Sequence, residues 1–94
     1  MNIDAWSEGV FAEVRDELSR ARCLFPSAEL TTVALTEEFG ELIKAAMDES
    51  VFSVRLEAVQ TITMCLRLLW DGDDHVNAHR ANKGLEALGD APRD

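Results

Sequence analysis

Basic residues are scarce: of 94 residues only 9 are Lys or Arg against 18 Asp or Glu, a net charge of -9. Such a balance repels a phosphate backbone, and no basic patch interrupts it, so binding to a nucleic-acid polymer is excluded. A small phosphorylated ligand stays open wherever metal ions offset the charge. Cysteine is sparse too. Cys23 and Cys65 lack CxxC spacing and lie among apolar neighbours in predicted helices, so they read as buried free thiols of a reducing compartment. Residues 1–6 carry no basic region followed by an apolar run, so no signal peptide is expected. Arg55, Glu57, Gln60 and Arg67 interrupt the most apolar stretch, which argues against a membrane span and for a cytoplasmic protein. A glycine-rich phosphate loop, an HExxH motif, internal repeats and low-complexity tracts are all missing. The acidic run at 71–82 fails as a calcium loop, because its glycine is misplaced and no glutamate fills the twelfth position.

What is present is apolar content of 47% in long, regular patterns, which a disordered chain would not carry. The expected fold is all-α, one compact four-helix domain with helices at about 4–25, 32–48, 51–70 and 74–88. In the first, Trp6, Val10, Val14, Leu18 and Ala21 or Cys23 form the apolar side, and Pro26 ends it. Gly40 interrupts the second at a cost of about 1 kcal/mol relative to alanine, which points to close approach of another helix or a ligand. The third is apolar almost all round, so it is expected to be central and to share a subunit interface. Asp73 and Asp74 can cap the fourth, with Gly89 as its stop, and His75 and His79 read as surface residues. Trp6 and Trp70 read as core.

The chain's chemistry concentrates in residues 36–60, TEEFGELIKAAMDESVFSVRLEAVQ. Glu38 and Glu41 are three apart on one helix, Glu57 and Gln60 three apart on the next, so each pair projects to one side. On a helical wheel Glu38 and Glu41 fall about 60° apart, beside an apolar stripe of Leu35, Phe39, Leu42 and Ala46. Packing that stripe on the third helix brings the carboxylates to a shared cleft. Oxygen ligands facing across a gap suit magnesium, a hard ion that takes carboxylates, waters and phosphates. The competing reading is that glutamates simply form good helices on a wet face.

The runs LTEEFGELIKAAMDE at 35–49 and LEAVQTITMCLRLL at 56–69 resemble the metal core of the MazG-like, all-α nucleoside triphosphate pyrophosphohydrolases. That family pairs ExxE on one helix with ExxD on the next; here Gln60 stands where aspartate is usual. The resemblance implies hydrolysis of a nucleoside triphosphate to the monophosphate and pyrophosphate, with magnesium or manganese, in a homodimer or homotetramer. It implies Glu38, Glu41 and Glu57 as metal ligands, Gln60 as a neutral one, and Glu37 as the residue that positions water. Asp48, roughly 10 Å along the helix from Glu41 by rise, would serve only a separate ion. Phosphate contacts are sought at Lys44, Arg67, Arg80, Asn82 and Lys83. Because an amide brings no negative charge, two alternatives stand beside the enzyme: a catalytically impaired nucleotide-binding or regulatory relative, and a structural interaction protein.

Overall fold

The computed structural model describes residues 4–89. They form α1 (Asp4–Leu24), α2 (Thr31–Asp48), α3 (Val51–Trp70) and α4 (Asp74–Asn82), and among the described residues there is no strand. The expected all-α four-helix domain is the one that forms, and the first three helices begin and end within a residue of their expected limits.

α3 is central, with α1 and α2 both packed on it. Its buried line is Val59, Thr63 and Arg67, one turn apart. Two of the three are polar, and both are satisfied: Thr63 donates to the Val59 carbonyl at 2.8 Å, and Arg67 to Asp71 and the Phe25 carbonyl. α1 contributes Val14, Leu18 and Ala21 to the buried set, and α2 contributes Thr31 and Ala45. Arg55 clasps both carboxylate oxygens of Glu13 between α3 and α1. Ser50 caps α3 through the Ser53 N–H.

The corner between α3 and α4 anchors the loop between α1 and α2. Asp71 accepts from Arg22 at 3.0 and 2.8 Å and from Arg67 at 3.0 Å, while Arg22 also lies 5.7 Å from the Trp70 ring centre. Fully buried Asp73 caps two helices at once. One oxygen accepts from the Val76 N–H of α4, the other from the N–H and hydroxyl of Thr32 at the start of α2. That second bond supplies what Leu30, with no polar side chain, cannot give as the residue before α2. The Asp74 and His75 N–H groups donate to the carbonyls of Ala28 and Glu29, and Thr31 donates to the Gly72 carbonyl.

Several expectations are corrected. α4 stops at Asn82, not 88: Gly84, with φ +71, takes the left-handed turn, and the Leu85 and Gly84 N–H groups close on the Arg80 and Ala81 carbonyls. Residues 85–89 then fold back, with Asn77 pairing both the N–H and the carbonyl of Leu88. Cys23 and Cys65 are exposed, because the α3 line of Ile62, Cys65 and Leu69 faces away from both neighbours. Trp6 is 67% exposed, since α1 runs past the core before Val14. Among the described residues nothing beyond its own helix turn lies within 4 Å of a side-chain atom placed on Gly40, so none of the other helices described approaches it there. The α2 line toward α3 passes through Thr31, Leu35, Glu38, Leu42 and Ala45, leaving Phe39 and Ala46 outward. Glu38 therefore lies on the packed line rather than beside it.

Burial alone would raise the Asp71 and Asp73 carboxyls, but hydrogen bonds outweigh it: from Arg22 and Arg67 to Asp71, and from Thr32 and Val76 to Asp73. Both are held below the usual carboxylate value. Each binds a proton less readily folded than unfolded. Their contribution is therefore complete above the unfolded value of about 3.9 and is lost as pH falls through the lower folded values. Replacing Asp73 by alanine is expected to cost about 3 kcal/mol in urea unfolding, since three donors lose a buried acceptor, and to flatten stability against pH in the acid range. Gly40→Ala is expected to add about 1 kcal/mol in the same assay.

Candidate functional site

The sequence pairs Glu38 with Glu41 and Glu57 with Gln60; the fold selects one member of the first pair and both of the second. Thr61 donates to its own helix at the Glu57 carbonyl, 2.8 Å, and reaches the Glu38 carbonyl of α2 at 3.3 Å, pinning the two acidic turns side by side. Above that contact the Gln60 amide sits between two carboxylates. Its nitrogen donates to Glu38 Oε2 at 3.2 Å and to Glu57 Oε2 at 3.1 Å. This is the orientation the network demands, because the opposite one sets an amide oxygen against two carboxylate oxygens.

The electrostatic strain falls on Glu38. Burial pushes its carboxyl above the usual value, and the charges of Glu57, Glu41, Glu17 and Glu37 add to the effect in that order. Glu41 thus acts on Glu38 through its field, although it is exposed. Glu37 and Glu38 both line a cleft of about 680 Å³ bounded by α1, the loop after it, α2 and α3. Gln60 and Met64 line it from α3, and Leu24, Phe25, Pro26 and Leu30 give it apolar surface. The volume is that of a small-molecule site, and the mixture of apolar wall and a few polar groups is the usual composition of one.

Among the described residues no three His, Cys, Asp or Glu side chains form a group able to hold a metal by themselves. Magnesium does not require such a cage: one or two carboxylates with waters and substrate phosphates suffice. Glu38 and Glu57, with Gln60 able to turn its amide oxygen inward, are hard oxygen donors on two helices and fit that ion.

Lys44, Arg80, Asn82 and Lys83 are outside the lining of this cleft. Lys44 is exposed on α2, and Arg80 donates from Nε to the Glu86 carbonyl. Arg67 does line the cleft, but it is 4% exposed and holds the carbonyls of Phe25 and Ser27, at 2.7 and 3.4 Å, as well as Asp71. Its position makes it a brace for the loop that forms the cleft wall. Glu17 and Arg20 of α1, which no sequence motif singles out, also line the cleft. A signal was there: Glu17 is one turn before Ala21, a buried position. Phe25, the residue after α1, is 63% exposed at the cleft.

A raised carboxyl means that the folded protein holds the Glu38 proton more tightly than the unfolded chain does. The associated stability is present below the unfolded glutamate value of about 4.3 and is lost as pH rises through the higher folded value. At neutral pH without divalent ions, Glu38→Gln is therefore expected to stabilise the fold by roughly 1 kcal/mol or less, as for half-exposed charge pairs, which reads as a higher Tm. The gain should vanish at pH 4 by differential scanning calorimetry. Compared with known families, with curated proteins and with solved structures, the chain gives no match.

Proposed function

We propose that this chain is a magnesium-dependent nucleoside triphosphate pyrophosphohydrolase, releasing the monophosphate and pyrophosphate. The observation that carries the reading is the approach of Glu38 and Glu57, from two helices, to one Gln60 amide, beside a cleft of nucleotide size. The MazG-like pattern of residues 35–49 and 56–69 supplies the reaction class. Two carboxylates that repel each other and a raised Glu38 constitute an affinity for a cation.

When bound, magnesium, or manganese in its place, would supply Lewis-acid stabilisation of the phosphate charge and of a nearby water. Glu38 and Glu57 would hold the ion, with Gln60 rotating its amide to present oxygen where it now presents N–H. Glu41 adds negative charge from the next turn. Glu37, on the cleft wall, takes the proton from the attacking water as its oxygen bonds to phosphorus and the anhydride oxygen departs with pyrophosphate.

The Gln60 amide also favours a second reading, a nucleotide-binding relative with impaired turnover, since it donates to both carboxylates without a cation and withholds one anionic ligand. Pyrophosphate release from a panel of nucleoside triphosphates separates the two. Under the first reading release needs magnesium and falls at least a hundredfold in Glu38→Ala and Glu57→Ala; tight binding with no release selects the second. In Gln60→Asp the added charge is expected to lower the Tm without metal and to strengthen magnesium binding, both read by thermal melts across a magnesium titration.

The partner proposed is a second copy of this chain. Ile62 and Leu69 on α3 are 42% and 57% exposed and Phe39 on α2 is 56% exposed, although α3 is the element most surrounded by its own chain. A sedimentation mass of two or four chains is expected, falling to one in Leu69→Asp. Free, exposed thiols at Cys23 and Cys65 suit a reducing, cytoplasmic setting. Among the described residues no helix is long and apolar enough to cross a membrane.

A further inference from the structure

We propose that Arg20 is the phosphate-contacting cation of the cleft and that Glu17 holds it off the substrate while the cleft is empty; this rests on the triphosphate reading above. An acidic site that takes a polyanion needs a cation besides its metal. The cleft lining offers two, Arg20 and Arg67. Arg67 is committed: its Nε bonds Asp71, its Nη2 bonds the Phe25 carbonyl, and its side chain is 5% exposed.

Arg20 is placed differently. Its side chain is 53% exposed, and its guanidinium forks onto both oxygens of Glu17, one turn away on α1, with Nε at 2.9 Å. The pair stands where two clefts adjoin, since both residues also line a smaller cleft of about 320 Å³ between α1 and α3. A guanidinium fork fits phosphate oxygens as well as carboxylate oxygens. Its present partner is the Glu17 carboxylate, 18% exposed, in an i, i+3 pair whose guanidinium end stands in water, a class of ion pair that holds weakly. A triphosphate carries more charge than one carboxylate and can displace it by a change of Arg20 rotamer, with no movement of α1. Glu17 is left on the cleft wall, near enough to Glu38 to act on its charge, so its negative charge is best matched when the cleft holds both a divalent ion and Arg20.

Binding of inorganic triphosphate in the presence of manganese, followed by titration calorimetry, tests the assignment. Arg20→Gln is expected to weaken it about tenfold or more, the scale of a lost charge-assisted bond, and to raise KM for the nucleoside triphosphate by a similar factor. Manganese binding alone and the Tm should stay as in the unaltered chain. Arg20→Lys restores part of the loss, because the charge returns without the fork. Glu17→Gln is expected to tighten triphosphate binding by releasing Arg20, and the gain should disappear in the double variant; a gain that persists there overturns the holding role. If the unaltered chain hydrolyses triphosphates and Arg20→Gln matches it in affinity and KM, the Arg20 assignment falls alone. If the unaltered chain binds no triphosphate with the metal present, the enzyme reading falls with it.

Discussion

Two aspartates at one corner hold the fold together. Asp71 and Asp73, either side of Gly72, accept from α1, α3, α4 and the start of α2. A small helical chain has few long-range contacts with which to place a connecting loop, and loop backbone brings polar groups that must be paired. Here the α1–α2 loop hands its carbonyls to Arg67 and to the first N–H groups of α4, while the capping of Thr32 in α2 comes from a residue 41 positions later. The loop is thereby the rigid wall of a cleft, although five of its six residues are exposed.

The cleft inherits the opposite condition. Where the corner matches every acid with donors, the facing turns of α2 and α3 gather Glu37, Glu38, Glu41 and Glu57 with a neutral amide as their mediator. One region is stabilised by charge and the other stores repulsion. The Thr61 hydroxyl pins α2 to α3 at the Glu38 and Glu57 carbonyls, so the backbones that carry these two acids stay side by side. Such an arrangement would favour a divalent ion, because ligands assembled in advance lower the cost of binding one.

The helix limits were legible because period, proline and capping residues are local signals, and α3 runs over the expected 51–70. The convergence of Glu38, Glu57 and Gln60 was legible for the same reason: three-residue spacing on consecutive helices leaves little freedom. Burial was not. Apolar residues outnumber the buried positions a chain this short can create, so periodicity could not tell Phe39 and Leu69, which are exposed, from Leu18 and Val59, which are not. Nor does periodicity foresee that polar Thr63 and Arg67 would occupy the central line of α3, since their partners come from distant segments or from the helix's own carbonyls. α4 was overextended because an Ala- and Leu-containing run reads as helix, whereas Gly84 and the Asn77 amide divert it.

The stretch after α4 has a dielectric role. A side-chain atom added to Gly72 would stand 2.6 Å from the Leu88 carbonyl oxygen, and one added to Gly89 would stand 3.1 Å from the Asp71 carbonyl carbon. The folded-back segment thus roofs the turn that carries Asp71, whose side chain is 10% exposed. Keeping solvent off a cluster of two guanidiniums and one carboxylate strengthens each attraction within it. The last described residues accordingly insulate an ion cluster that ties Arg22 of α1 to Asp71 and Arg67, so that residues 85–89 bear on how α1 is held.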